Sequence, residues 1–121
     1  MHPLLLIFIG GGLGSLLRYG LSRWPGNPSG GFPWGTLAAN VLACLVLGLA
    51  VHYLATRADL SPSLKPLILI GFCGGFSTFS TFSLETFRMI EAGQWIMALA
   101  YVLISTLACL GIFVLIGQLW R

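Results

Sequence analysis

The chain predicts an all-α membrane protein: four transmembrane helices, the third broken mid-membrane, and two copies paired as an antiparallel dual-topology homodimer. Three observations lead there. Of its 121 residues, 57% are hydrophobic and only 7% charged, with a mean hydropathy of +0.94, whereas a soluble domain is about a quarter charged. The apolar residues fall into four stretches, about 3–21, 33–55, 66–87 and 95–119, each long enough to cross a bilayer. They read as one four-span domain over 1–121. The third stretch is interrupted by the run Gly71-Phe72-Cys73-Gly74-Gly75-Phe76-Ser77-Thr78-Phe79-Ser80-Thr81-Phe82-Ser83.

The first span holds Gly10-Gly11-Gly12-Leu13-Gly14, in which Gly10 and Gly14 have the GxxxG spacing of a close helix contact. No charged n-region precedes it and no A-x-A site closes it, so it reads as a retained span. Arg18, one turn before its end, either snorkels to the interface or stands as a cation at the mouth of an anion path. Trp24 to Gly31 reads as a loop, with Trp24 and Trp34 at the interface.

Along the second span Thr36, Asn40, Cys44 and Gly48 are four apart and share one helical face. An unpaired amide in hydrocarbon costs several kcal/mol. Asn40 therefore clamps another helix or faces a polar path. A second loop, Thr56 to Ser63, leads to the third helix, with Ser61 or Ser63 as cap and Pro62 or Pro66 in the first turn.

Each glycine in the central run weakens a helix by roughly 1 kcal/mol against alanine. Adjacent glycines followed by Ser and Thr favour unwinding. Within a membrane, unwound backbone persists only where protein buries it, or where it lines a polar cavity or holds an ion. Phe72, Phe76, Phe79 and Phe82, at spacings of three and four, would share a helical face as core. Alternatively the electropositive ring edges of Phe79 and Phe82 touch a small anion. Glu85 and Arg88, three apart, read as a pair at the helix end. In the fourth span Tyr101, Ser105 and Cys109 form a weakly polar row, and Trp120 and Arg121 anchor its end.

Scattered basic residues give a net charge of +3 but no nucleic-acid-binding cluster. Four spans place Arg57, Lys65 and Arg121 on one side, and Arg23 and Arg88 on the other with Arg18 nearby. This bias is close to nil, so the chain can insert both ways and pair with an inverted copy. Asp59, Glu85 and Glu91 lie near loops or span ends. No catalytic triad, metal cluster or phosphate loop is present, which argues against an enzyme. Cys44, Cys73 and Cys109 lie in hydrophobic segments without a CxxC and read as small packing residues. What remains inside the membrane is neutral and donor-rich: Asn40, Tyr101 and the hydroxyls of Ser77, Thr78, Ser80, Thr81 and Ser105. Neutral donors in series can replace an anion's hydration shell without trapping it.

The central run resembles the third-helix signature of the Fluc (CrcB) fluoride channels. The resemblance continues in Gly10-Gly11-Gly12-Leu13-Gly14-Ser15-Leu16-Leu17-Arg18-Tyr19 and in Gly35-Thr36-Leu37-Ala38-Ala39-Asn40, and covers essentially the whole chain in order. It implies a passive fluoride channel of the bacterial plasma or inner membrane, lowering cytoplasmic fluoride as an antiparallel dimer with two pores. It further implies pores lined at Phe79, Phe82 and Asn40, a polar track at Tyr101 and Ser105, and a structural sodium ion. Backbone carbonyls at Gly74 and Ser77 of both subunits would hold the sodium. Ser77 stands where threonine is common, and Cys109 where a hydroxyl can occur. Ser80, Thr81 and Thr36 complete the expected fluoride path, and Arg18 its vestibule. The competing reading is a small dual-topology proton-coupled exporter. That class needs a membrane-embedded carboxylate, and the first span has no Asp or Glu.

Overall fold

A computed structural model describes residues 1–23, 31–57, 59 and 61–121. The expected first loop and Trp24 lie largely outside the described residues, as do Ala58 and Leu60 of the second loop. Every regular element described is helical: α1 (Pro3–Ser22), α2 (Trp34–Thr56), a π-helical segment (Pro66–Phe72), α3 (Cys73–Phe76), α4 (Phe79–Glu91) and α5 (Trp95–Leu119). Four helical stretches, Pro3–Ser22, Trp34–Thr56, Pro66–Glu91 and Trp95–Leu119, are long and apolar enough to cross a membrane. Gly93, at φ +75°, makes the tight turn from α4 into α5.

α1 packs along the π-helical segment and α3, and α2 lies against α1, α3 and α5. Glycine sets the first contact. A Cβ on Gly10 would run into the Leu67 carbonyl and lie 2.8 Å from Phe72 N; one on Gly14 would strike the Phe72 carbonyl and lie 2.7 Å from Phe76 N. The two backbones therefore touch directly. In the facing segment Pro66 brings no N–H, and the Cys73 N–H reaches back five residues to the Ile68 carbonyl.

Among the described residues two small buried clusters make the core. Ala39, Ala43 and Phe76 pack with Leu21 and Phe72, and Met89, Ala98 and Tyr101 pack with Phe32, Phe82, Ile90 and Met97. Most other large apolar side chains point outward, including Phe8, Ile96 and Leu107. That surface suits lipid or a second chain, since only an apolar solvent leaves it unpenalised. Trp34, Trp95 and Trp120 lie exposed at helix ends, Trp120 edge-on to His52 at 5.1 Å.

Candidate functional site

Between α3 and α4 the chain is extended at Ser77 (ψ 155°) and Thr78 (ψ 123°). Ser77 closes α3 by donating both its N–H (3.0 Å) and its hydroxyl (2.9 Å) to the Cys73 carbonyl. A continuing helix would send the Thr78 N–H to the Gly74 carbonyl. Instead it donates to Asn40 Oδ1 at 2.7 Å, and Asn40 Nδ2 donates to the Thr78 carbonyl at 3.2 Å. One side-chain amide thus satisfies both polar groups of an extended residue, and the Thr78 N–H fixes which end of the amide is oxygen. The second hydrogen on Nδ2 is left over for another acceptor. Thr78 then caps α4, its Oγ1 accepting from Thr81 N–H at 3.2 Å and lying 3.3 Å from Ser80 Oγ.

Asn40 is therefore the helix clamp, with one Nδ2 hydrogen to spare, and it lines a cavity of about 260 Å³. That cavity is lined by Asn40, Cys44, Ser77, Thr78, Phe79, Phe82, Ser105, Thr106 and Cys109. The Ser105 hydroxyl is buried and has no hydrogen-bond partner among the described residues. Phe79 projects outward, 79% exposed, with its ring centroid 5.8 Å from that of Phe82. Phe82 meets Tyr101 edge-on at 4.9 Å. The four phenylalanines do not share one face. The extended pair Ser77–Thr78 separates Phe72 and Phe76, 5.4 Å apart and packed with Ala39, from Phe79 and Phe82.

Glu85 departs from expectation. Its Oε1 accepts from Thr36 Oγ1 and its Oε2 from Tyr101 Oη, each at 2.7 Å, while Arg88 is exposed. A local helix-end pair is worth about 0.2–0.5 kcal/mol, whereas hydrogen bonds to a charged group contribute about 1.5–3 kcal/mol each. The carboxylate accordingly turns inward between α2 and α5. Sequence reasoning missed it because both partners are distant along the chain. The available signal was the rarity of any carboxylate within a span.

Arg18 also turns inward rather than out to the interface. Its Nε donates to the Gly75 carbonyl at 3.1 Å, and Ser15 Oγ reaches the same carbonyl at 3.5 Å. Arg18, Thr36, Thr78, Thr81 and Glu85 line a second cavity of about 280 Å³ with Ser15, Tyr19 and Ser22. Thr78 borders both cavities, one lined by Arg18 and Glu85 and the other by neutral groups alone. A third, smaller cavity of about 150 Å³ holds Gly74 and Ser77 with Ala43, Cys44, Leu47, Leu69 and Cys73.

The sequence profile of the family described as CrcB-like protein, Camphor Resistance (CrcB), matches residues 5–118. The chain belongs to the CrcB family. Similar CrcB relatives carry the name Fluoride-specific ion channel FluC. The one from Leptospira interrogans is 47% identical over 110 residues, covering 89% of this chain and 86% of its own. That from Hahella chejuensis is 43% identical over 108 residues, 88% of this chain and 85% of its own. That from Citrifermentans bemidjiense is 44% identical over 111 residues, 91% and 90% respectively. The resemblance read in the third-span signature is thus borne out at the level of the family. A CrcB chain with four such helices is a multi-pass membrane protein.

Proposed function

We propose that this chain is a fluoride-selective channel that carries fluoride passively down its gradient, working as an antiparallel homodimer. The observation that carries the reading is the meeting of three kinds of anion-compatible group at one cavity: the unpartnered Ser105 hydroxyl, the spare Asn40 hydrogen, and the Phe79 and Phe82 rings. Each offers partial positive charge without a fixed cation, so fluoride can shed water and still leave. The name carried by the relatives supports the same substrate. Arg18 makes the vestibule side attractive to an anion. Ser80 and Thr81 extend the hydroxyl path toward it. Thr36 and Tyr101 donate their hydrogens to Glu85, so they serve a passing anion only when the carboxylate releases them.

Discontinuity of the third helix at mid-membrane belongs to the same reading. With the Thr78 N–H given to Asn40 and the Thr81 N–H given to Thr78 Oγ1, the Gly74 and Ser77 carbonyls lack the donors a continuing helix would supply. Both residues line the smaller third cavity, and a Cβ on Gly74 would meet nothing within 4 Å. Carbonyl oxygen is the donor a hard cation takes, but two are fewer than such an ion collects. An inverted copy across a two-fold axis would double them. The residues therefore fit a structural sodium ion tying two subunits together.

Glu85 favours a second reading, proton-coupled export, because a half-buried carboxylate in the bundle can carry a proton. Liposomes holding purified protein and loaded with fluoride or chloride separate the two. The channel reading expects fluoride efflux on adding a potassium ionophore, no chloride efflux, and no dependence on an imposed pH gradient. Efflux that requires the pH gradient establishes the exporter instead, and equal chloride efflux removes fluoride selectivity.

A further inference from the structure

Cys44 on α2 and Cys109 on α5, expected from sequence to be packing residues, face one another across the cavity that holds Asn40 and Ser105. The approach of the two helices is close. One turn beyond Cys44, a Cβ on Gly48 would lie only 2.7 Å from the Ile116 side chain. Both cysteines are free thiols. Cys73 lines the smaller cavity with Cys44 and Gly74, and does not line the one that Cys109 shares with Cys44. Among the described residues no three His, Cys, Asp or Glu side chains could share one metal ion.

We infer that Cys44 and Cys109 form a two-thiol site for a soft d¹⁰ cation, and that an ion bound there closes the fluoride path. The second half of this inference rests on the channel reading above. The donor set selects the ligand. Zinc takes four ligands, and calcium and magnesium take oxygen. Two sulfurs alone satisfy an ion content with linear coordination, such as Hg²⁺, Ag⁺ or Cu⁺, for which thiolate is the preferred donor. With Hg²⁺, two S–H bonds break, two S–Hg bonds form, and two protons leave to water through the open cavity. No electrons are transferred, so the site needs no oxidant or reductant. The cross-link joins α2 to α5 one turn beyond Asn40 and Ser105 and places a large atom in the cavity those residues line.

The test titrates purified protein with mercuric chloride, following the sulfur-to-mercury ultraviolet absorption, and measures fluoride efflux from liposomes made with the same samples. The Cys73→Ser variant is expected to bind one Hg²⁺ per chain as tightly as the unaltered protein. Its fluoride efflux should fall about tenfold or more when that ion binds, and recover on adding a dithiol. Cys44→Ser and Cys109→Ser should each weaken binding roughly 100-fold, because the second sulfur no longer acts at high effective concentration. Cys44→Ala and Cys109→Ala replace them if a buried hydroxyl prevents folding. Unweakened binding in both the Cys44 and Cys109 variants, or binding lost in Cys73→Ser, overturns the site. Tight binding with undiminished efflux overturns its place on the path. If the metal-free protein passes no fluoride, the channel reading fails by itself, and the absorption titration still decides the thiol pair.

Discussion

Phe79 and Phe82 lie three residues apart on one helix yet have different surroundings, and that difference makes a test. Phe82 is half-buried against Tyr101, while Phe79 lies outside the chain's own core. An aromatic pair contributes about 0.5–1.5 kcal/mol beyond its buried area. Phe82→Ile should therefore lower thermal stability by about that much, and Phe79→Ile should barely change it. If ring edges solvate fluoride, both variants should nonetheless lose flux by about tenfold, equivalent to about 1.4 kcal/mol of barrier. Fluoride efflux compared with the melting temperature of each variant decides the matter. Flux near that of the unaltered protein in both would leave the path to Ser105 and Asn40. At this scale the sequence was a partial guide. Asn40 was legible as an amide that must be satisfied inside the membrane. Its actual partner, the peptide of Thr78, was not, because nothing local links residues 38 positions apart. Glu85 was misread for the same reason, since a local partner three residues away was weighed and Thr36, 49 positions away, was not visible.

Among the elements, the four apolar stretches were plain because hydrophobicity over a span is a local property. The end of the third was placed about a turn short of Glu91, since the polar residues of α4 lower its hydropathy while its helix continues. The π-helical winding of Pro66–Phe72 left no such trace. It lies where α1 comes within backbone contact, which depends on glycines in both partners. Gly10 and Gly14 supplied the readable half of that contact. Two alanine substitutions separate contact from composition. At Gly14 an added Cβ meets backbone atoms of the facing segment that have no flexible side chain to yield. Gly14→Ala should cost about 1–3 kcal/mol or prevent assembly. At Gly12 nothing lies within 4 Å, and Gly12→Ala should stabilise the helix by roughly 0.5–1 kcal/mol. Thermal melting in detergent reads both, and equal effects would mean that α1 does not pack on these glycines.

For the whole molecule, the proposed dimer makes a demand on how the chain enters the membrane. An antiparallel homodimer of one gene product requires that both orientations be populated, and charge in the loops sets orientation. Arg57, Lys65 and Arg121 stand on one side, against Arg23 and Arg88 on the other. Arg18 does not add to the second group as a loop charge, because its guanidinium is committed to the Gly75 carbonyl inside the bundle. Three against two is too small a difference to hold one orientation. A single cysteine placed beside Arg121, with Cys44, Cys73 and Cys109 replaced, should react with a membrane-impermeant maleimide from both faces in comparable amounts. Adding three lysines next to Arg121 should drive that end to the cytoplasmic face and, with it, abolish fluoride efflux, since all copies would then share one orientation. Co-expressing that variant with one carrying the lysines between Ala92 and Gln94 should restore efflux through an inverted pair. Labelling from one face only in the unaltered protein, or undiminished efflux from a population forced into one orientation, would end the case for an antiparallel dimer.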